Sequence, residues 1–141
     1  MKRTSVVLVV ATVLVLGLSG LNVDAQDASG DLAWSVPFGE GSQVMRQHPL
    51  LRDAELPKRL GTPGPNGPMV TAGGLVFLGG GDPYLYAFDA MTGGEVSRVA
   101  TEFRTSGNPM TYRSRAGRQF ILIATGAGPD ARLVAFALPE G

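Results

Sequence analysis

The sequence contains no cysteine, and its 12 basic and 12 acidic residues give a formal net charge of zero. Without cysteine the chain can form no disulfide bond, thiolate metal site or lipoprotein anchor, and it has no cysteine nucleophile. A nucleic-acid-binding protein or a polybasic membrane-surface protein needs a surplus of positive charge. The sequence therefore predicts neither a nucleic acid nor an anionic membrane surface as a partner.

Long helices are not expected either, because the 141 residues include 20 glycines and 10 prolines. These residues favour turns and divide the chain into many short elements. The length is that of one domain of ordinary size.

The N-terminal segment has the three-part pattern of a secretory signal peptide. Basic residues precede an apolar run over 6–18, and Val23 and Ala25 stand just before a candidate cleavage point. The pattern predicts a signal peptide over residues 1–25, secretion across the inner membrane, a periplasmic location and no stable membrane span after cleavage. The alternative is an uncleaved anchor, although the apolar run of about 13 residues is shorter than the ~20 that a spanning helix needs.

Residues 26–66 are predicted to form one strand and an irregular connector. Segment 31–37 alternates apolar and polar residues around Trp34, which is typical of a strand, and Pro37 ends it. The remainder is charged and interrupted by prolines, so at most a short helical turn or two is expected around residues 50–56.

Residues 67–141 have a different sequence pattern, in which short apolar runs alternate with turns rich in Gly, Asp and Pro. The predicted strands are 69–71, 75–78, 84–88, 95–99, 110–113, 119–124 and 133–138. Together with the Trp34 strand they predict an all-β fold.

An internal repeat connects these strands. Residues 68–69 recur as 109–110 (Pro-Met in both), and 85–88 (LYAF) recur as 133–136 (LVAF). A period of roughly 40 to 50 residues in short strands is typical of propeller blades, each a four-stranded antiparallel sheet. We predict two antiparallel four-stranded blades of a β-propeller, with the Trp34 strand as the fourth strand of the second blade. A generic β-sandwich is the alternative.

The order of these motifs resembles the C-terminal part of the pyrroloquinoline-quinone (PQQ)-dependent dehydrogenases, the quinoprotein glucose and alcohol dehydrogenases. The matching segments are the Gly61-Thr62-Pro63 loop, TAGGLVF at 71–77, LYAFD at 85–89 with Thr92-Gly93, and Pro109-Met110-Thr111-Tyr112 before Gly117-Arg118-Gln119. The resemblance extends over about residues 30–138. It implies a quinoprotein-type β-propeller that oxidises sugar or alcohol hydroxyls and passes electrons to a periplasmic acceptor.

The chain departs from the family in two respects. The family builds an eight-bladed propeller, whereas roughly 116 residues after signal cleavage suffice for two blades at about 40 residues each. The blades that carry the family's catalytic aspartate and calcium ligands have no counterpart here. In addition, Ser97 stands where the family's blade motif usually has a tryptophan that packs between blades. We therefore expect a protein that is incomplete and not catalytic alone.

The resemblance also implies a place for the cofactor. In the family the loop that matches residues 61–68 lies on the propeller face near the quinone, just before the inner strand of a blade. Carried over, this implies that Gly64, Asn66 and Gly67 contact PQQ, with the Asn66 amide offering donors and an acceptor. We assign no catalytic and no metal-binding residue, and we expect calcium only in an assembled propeller.

Three other polar residues are better explained by structural roles. Asp89, before Thr92 and Gly93, is placed to accept hydrogen bonds from turn amides. Asp82 alone is far short of the six to eight oxygen ligands of calcium, so a turn role is preferred. His48, the only histidine, is predicted to be a surface loop residue.

Two function classes remain open on the sequence alone. The first is a part of a quinoprotein dehydrogenase. The second is an exported, non-enzymatic propeller module whose open strand edges bind other propeller blades or a second copy, since exposed strand edges are association sites. A truncated gene product without present activity is a third interpretation.

Overall fold

The computed structural model describes residues 22–27, 29–62 and 66–137. This part of the chain forms nine strands in three antiparallel sheets, with one short α-helix and two 3-10 turns. The strands are β1 (Asn22–Gln26), β2 (Leu32–Pro37), β3 (Met69–Val70), β4 (Leu75–Gly79), β5 (Tyr84–Asp89), β6 (Glu95–Ala100), β7 (Met110–Arg113), β8 (Gln119–Thr125) and β9 (Arg132–Phe136).

The predicted all-β class is confirmed. Strands β3 to β6 form a four-stranded meander, the first sheet, and β7 to β9 form a three-stranded meander, the second sheet. All seven strands predicted beyond residue 67 are present, because Gly, Asp and Pro turns punctuate each apolar run.

The predicted pairing of the Trp34 strand is wrong. Strand β2 pairs with β1 in a two-stranded hairpin, with Val36 opposite Val23 and Trp34 opposite Ala25. Among the described residues the second sheet therefore has three strands rather than four. Alternation around Trp34 indicated a buried face, but it carried no information about the neighbouring strand.

The hairpin places the only tryptophan against the first sheet. The indole Nε1 donates to the Ala90 carbonyl oxygen at 3.0 Å. Gly93 permits this approach, because a β-carbon there would lie 2.6 Å from the indole Cε3. Ala25, the last residue of the predicted signal peptide, is fully buried within β1. Residues 1–21 of that predicted segment lie outside the described residues.

The connector contains a helix α1 (Gln43–Arg46) and a 3-10 turn (Pro49–Leu51). Ser42 caps the helix by accepting from the Met45 amide at 3.1 Å. The helical turn or two predicted around residues 50–56 are thus found as two short elements that begin earlier in the chain. In the part of the chain that the structure describes, no helix is long and apolar enough to cross a membrane.

The main core lies between the hairpin and the first sheet. Trp34, Val23 and Phe38 pack there against the first-sheet residues Val76, Leu78, Tyr86 and Phe88. The opposite face of the first sheet is also buried at Leu85 and Ala87, and Gly79 on that face lies against Ile123 of the second sheet. The first sheet is thus covered on both faces.

The second sheet has one inner and one outer face. Ile123, which is 1% exposed, points inward, because its Cδ1 occupies the space that a β-carbon on Gly79 would need. By alternation and register, Ile121, Val134 and Phe136 share that inner face. The outer face is entirely apolar and consists of Met110, Tyr112, Phe120, Leu122, Ala124, Leu133 and Ala135.

Candidate functional site

Two of the three residues predicted to contact the cofactor lie where the first and second sheets meet. The loop that carries them begins at Gly61 and Thr62, both buried, and the Thr62 amide donates to the Phe38 carbonyl oxygen at 2.9 Å. Gly64 lies outside the described residues. Asn66 follows on the other side of this gap and is 7% exposed.

Asn66 and Gly67 are fixed by hydrogen bonds to opposite sides of the junction. The Asn66 Nδ2 donates to the Gly79 carbonyl oxygen at 3.0 Å, at the end of β4. The Gly67 amide donates to the side-chain Oδ1 of Asn108, just before β7. These two residues therefore tie the loop to the first sheet and to the segment that enters the second sheet.

Thr105 is a junction residue that the sequence did not single out. Its Oγ1 accepts from the Gly80 amide at 2.9 Å and donates to the Asp82 carbonyl oxygen at 3.1 Å. It also pairs with Thr125 in an isolated antiparallel bridge. Both threonines are at least 98% buried, so this polar bridge is an integral part of the interface between the sheets.

Asp82 and Tyr86 form a second polar pair near the junction. The Tyr86 hydroxyl donates to Asp82 Oδ2 at 2.5 Å. Burial of the ring, together with the hydrogen bond to this carboxylate, raises the pKa of Tyr86 above its ordinary value of 10.0. The hydroxyl therefore remains a proton donor at neutral pH.

The surroundings of Tyr86 contain two buried polar atoms without a hydrogen-bond partner among the described residues. One is Asp82 Oδ1, and the other is Nη1 of Arg59, whose guanidinium lies 5.3 Å from the centre of the Tyr86 ring. Arg59 forms an ion pair with Glu95 through its other nitrogen, Nη2. Asp82 is thus an acceptor for Tyr86 as well as a turn residue.

The other two polar candidates have the structural roles that the sequence favoured. Asp89 Oδ1 accepts from the Thr92 amide at 2.8 Å, the Thr92 hydroxyl at 2.9 Å and the Met91 amide at 3.0 Å. These bonds, led by the Thr92 hydroxyl, hold the pKa of Asp89 below its ordinary value of 3.8. His48 accepts from the Leu50 amide through Nδ1 at 3.3 Å and lies exposed at the start of a 3-10 turn.

The described residues do not by themselves fit a calcium ion or a complete quinone site. No group of three or more His, Cys, Asp or Glu side chains occurs among them in a metal-binding arrangement. Asp82 Oδ1 is one oxygen, whereas calcium takes six to eight. The Asn66 amide already donates to Gly79, and Arg59 lies over Tyr86, on the hairpin side of the first sheet.

Comparison with known proteins gives a consistent picture. Residues 21–121 match the family described as glucose/ethanol/alcohol dehydrogenase, beta-propeller domain (PQQ). The chain is 36% identical over 116 residues to a probable quinate dehydrogenase (quinone) of Xanthomonas campestris pv. juglandis, covering 77% of this chain and 14% of that protein. It is 32% identical over 122 residues to the glycerol dehydrogenase large subunit of Gluconobacter thailandicus, covering 75% of this chain and 16% of that protein.

Solved structures agree with the fold. The quinohemoprotein alcohol dehydrogenase from Comamonas testosteroni superposes with a TM-score of 0.53 at 27% identity, over 75% of this chain and 12% of that one. A europium-containing methanol dehydrogenase superposes with a TM-score of 0.56 at 24% identity, over 79% of this chain and 16% of that one. The chain thus spans about one seventh of the length of the relatives that it matches.

Proposed function

Because the chain belongs to the PQQ family of glucose/ethanol/alcohol dehydrogenase β-propeller domains, we propose that it acts as part of a dehydrogenase that oxidises an alcohol or sugar hydroxyl. The electrons taken from the substrate pass to a periplasmic acceptor. The chain contributes its sheets and the loop over residues 61–68, here called the junction loop, to a larger propeller and is not catalytic alone. PQQ is the proposed cofactor, and a calcium ion belongs only to the assembled propeller.

The observation that carries this proposal is the uncovered outer face of the second sheet. The internal repeat matches β4 and β5 with β8 and β9: Leu85 pairs with Gly79, and Leu133 pairs with Ala124 in the same register. Leu85 is 4% exposed and shares its face with Gly79, against which Ile123 of the second sheet lies, whereas Leu133 is 66% exposed.

The outer face of the second sheet is therefore equivalent to a face that is largely buried one repeat earlier, at Gly79, Leu85 and Ala87. A contiguous apolar face of this kind marks an interaction site. In a propeller, each sheet is covered on both faces by its neighbours. We infer that a further blade packs on this face in the active protein, and that this blade and others contribute the catalytic and metal-binding groups.

The junction loop is the proposed contact of this chain with PQQ. When bound, PQQ would act as the two-electron oxidant of the substrate's alcohol or sugar hydroxyl. Asn66, fixed at the Gly79 carbonyl oxygen, would hold the loop at the end of β4. Asn108 accepts from the Gly67 amide, and its side chain lies 3.2 Å from the position that a β-carbon on Gly67 would take.

The proposed function also requires that the chain be exported to the periplasm. We propose that the N-terminal segment directs secretion and that the chain acts in the periplasm. Cleavage after Ala25 would divide β1, in which Val23 and Ala25 are both buried. N-terminal sequencing of protein from the periplasm tests this point. A mature chain that begins at Gln26 agrees with the predicted cleavage, whereas an intact N-terminus in the membrane fraction contradicts export with cleavage.

Two measurements test the proposed function. In the first, the purified chain is titrated with PQQ and calcium while quinone absorbance and dye reduction with ethanol, glucose and glycerol are followed. We expect no dye reduction by the chain alone. Quinone-dependent dye reduction by the chain alone would contradict its incompleteness.

In the second measurement, the gene is deleted from its own cell and PQQ-dependent dye reduction is assayed in the periplasm. The proposal is supported if deletion abolishes one alcohol- or sugar-oxidising activity and the native chain restores it. The Asn66→Ala variant should restore at least tenfold less of that activity. The Val96→Ala variant is the control and should restore full activity, since Val96 is 59% exposed and takes no part in the hydrogen bonds of Asn66 and Gly67. Unchanged activity after deletion contradicts the dehydrogenase role.

A non-enzymatic export module is the second candidate, and the same uncovered apolar face favours it. A module of this kind would bind another propeller blade or protein through the outer face without taking part in oxidation. It predicts that deletion leaves all dye-linked activities unchanged.

A further inference from the structure

The junction loop contains an Asn-Gly step, Asn66-Gly67, which is chemically reactive. The backbone nitrogen after an asparagine can attack the side-chain Cγ, and a following glycine leaves this approach unhindered because it has no side chain. Asparagine also occurs at positions 22 and 108, but a valine and a proline follow there. Valine is β-branched and hinders the attack, and proline has no N–H to lose. Asn66 is therefore the asparagine of this chain best placed by its sequence for deamidation.

The fold holds both reacting groups in place. Asn66 is 7% exposed, and its Nδ2 donates to the Gly79 carbonyl oxygen at 3.0 Å. The attacking group, the Gly67 amide, donates its proton to Asn108 Oδ1. The nitrogen must lose this proton before it can bond to Cγ, and the Asn66 side chain must be free to turn toward it. Both hydrogen bonds therefore have to break before the reaction begins.

Asn108 belongs to a segment that is attached to the second sheet. The Ser106 amide donates to the Ala124 carbonyl oxygen at 2.9 Å, and the Gly126 amide donates to the Arg104 carbonyl oxygen at 2.8 Å. The bond between Gly67 and Asn108 thus joins the junction loop to the second sheet. A sheet with an exposed apolar face opens locally at a lower free energy than the whole molecule unfolds. Such an opening frees the Gly67 amide.

We propose that Asn66 is a deamidation site that Asn108 protects, and that its modification records each opening of the junction between the sheets. The Gly67 nitrogen loses its proton and bonds to Asn66 Cγ, while the bond from Cγ to Nδ2 breaks. The leaving Nδ2 takes up a proton and departs as ammonia. Water then hydrolyses the cyclic imide to aspartate or isoaspartate at position 66. No atom is oxidised or reduced in these steps.

The product does not fit the closed junction. An aspartate at position 66 has no N–H to donate to the Gly79 carbonyl oxygen, so two acceptors face each other. A charge that is buried without a partner is also costly. Isoaspartate adds one carbon to the backbone and displaces the Gly67 amide from Asn108. Modification therefore makes a transient opening of the junction permanent.

The experiment follows the purified full chain over time at neutral pH, in buffer and in urea. The tryptic peptide over residues 60–98 contains no other asparagine and no glutamine, so mass spectrometry of this peptide reports on Asn66 alone. We expect deamidation to be at least about tenfold slower in the folded chain than in urea. Asn108→Ala should react about tenfold faster than the native chain in buffer, the factor that corresponds to loss of one hydrogen bond.

Two control variants separate protection by Asn108 from general stability. Asn108→Asp keeps an oxygen that accepts from the Gly67 amide and should react as slowly as the native chain. Thr92→Val removes a hydroxyl that donates to Asp89 in the first sheet, away from the junction, and should also react at the native rate. Urea unfolding gives the free energy of unfolding of each variant for this comparison.

A second measurement needs no variant. In the native chain, deamidation should rise in proportion to hydrogen exchange of the Gly67 amide as urea is added below the unfolding transition. Equal rates in buffer and in urea, or deamidation that does not follow this exchange, would overturn the proposal. It would also be overturned if Asn108→Ala reacted at the native rate, or if Asn108→Asp reacted as fast as Asn108→Ala. No quinone is present, so the outcome is independent of the proposed dehydrogenase function.

Discussion

The two larger sheets are built from one repeated pattern but differ in how they are covered. In the first sheet Leu85 and Tyr86 are 4% and 0% exposed: the hairpin packs on the face of Tyr86, and Ile123 of the second sheet lies against the other face at Gly79. In the second sheet the equivalent Leu133 is 66% exposed. Strands β5 and β9 thus share the Leu-x-Ala-Phe pattern and the same pairing register. The exposure of their side chains differs because it depends on which sheets pack against each strand.

Because of this difference, we expect the first sheet to contribute more to the free energy of unfolding than the second sheet. The largest fully buried aromatic side chains, Tyr86 and Phe88, lie in the first sheet and contact the hairpin. A sheet with an exposed apolar face and few buried contacts opens locally at a lower free energy. We therefore expect substitutions around the first sheet to affect global unfolding more strongly than those on the outer face.

The largest effect is expected for Trp34→Ala. The substitution removes the indole that covers Gly93 and its hydrogen bond to the Ala90 carbonyl. Loss of a buried tryptophan costs about 3–5 kcal/mol of unfolding free energy. Denaturant unfolding followed by circular dichroism measures this cost.

The matched control for Trp34 is Tyr112→Ala on the second sheet. Tyr112 stacks on Phe120 with ring centres 5.1 Å apart but is 45% exposed. An exposed aromatic pair of this kind contributes about 1 kcal/mol. An equal or larger cost for Tyr112→Ala would contradict the unequal division between the sheets.

Trp34 also shows how far the sequence predicts the fold. Strand β7 was predicted with its observed bounds, Met110–Arg113, because turn-forming residues flank it on both sides. The Trp34 strand was predicted correctly, but its partner was not. Strand β1 was missed since small and β-branched residues such as Ala25 and Val23 fit a cleavage motif as well as a buried strand.

The candidate site was predictable to a smaller extent. The sequence indicated the loop with Asn66 and Gly67, and the structure places both at the junction of the sheets. Thr105 and Asn108 were missed because a short polar segment resembles an ordinary turn. The internal repeat could have indicated Asn108, because Asn108-Pro109 stands where the first copy has Gly67-Pro68. Contact of this loop with PQQ remains a prediction.

The second prediction concerns the contact between the two sheets. Gly79→Ala introduces a β-carbon that overlaps Ile123 and lies 2.8 Å from Thr105 Cβ. Overpacking of a close interface costs about 3 kcal/mol at the upper end of its usual range. Hydrogen exchange should show that β8 and β9 lose protection first.

Gly73→Ala is the control for this substitution. A β-carbon at Gly73 would meet only Thr71 Oγ1, at 3.9 Å, which is ordinary van der Waals contact. We expect little change in unfolding free energy. If Gly79→Ala were as mild as Gly73→Ala, the second sheet would not be held closely against the first.

A smaller effect is expected for Tyr86→Phe, which removes the hydroxyl that donates to Asp82. Asp82 is half-buried, so leaving this acceptor without its partner should cost about 1 kcal/mol at neutral pH, the lower end of the usual range. The raised pKa of Tyr86 means that its stabilising contribution is fully present below pH 10.0 and is lost as the pH rises through the folded-state value. The difference between native and variant chains should therefore shrink on strongly alkaline titration. Tyr112→Phe is the control for loss of an aromatic hydroxyl and should cost less at neutral pH, since Tyr112 is 45% exposed.

The smallest effect separates the ends of the two repeated strands. Asp89 ends β5 and accepts three hydrogen bonds from Met91 and Thr92, whereas Ala137 stands at the equivalent position after β9. Because these bonds hold the pKa of Asp89 below 3.8, its contribution is present above that pH and is lost as the pH falls through the lower folded-state value.

Asp89→Asn should therefore flatten the acid side of the stability curve, measured by urea unfolding from neutral to strongly acidic pH. Thr92→Val, which removes the hydroxyl donor but keeps the carboxylate, should flatten it in part. The same acid dependence in native chain and Asp89→Asn would show that this turn does not stabilise the end of β5 through its charge. In that case the two strand ends would differ in sequence but not in their electrostatic contribution to folding.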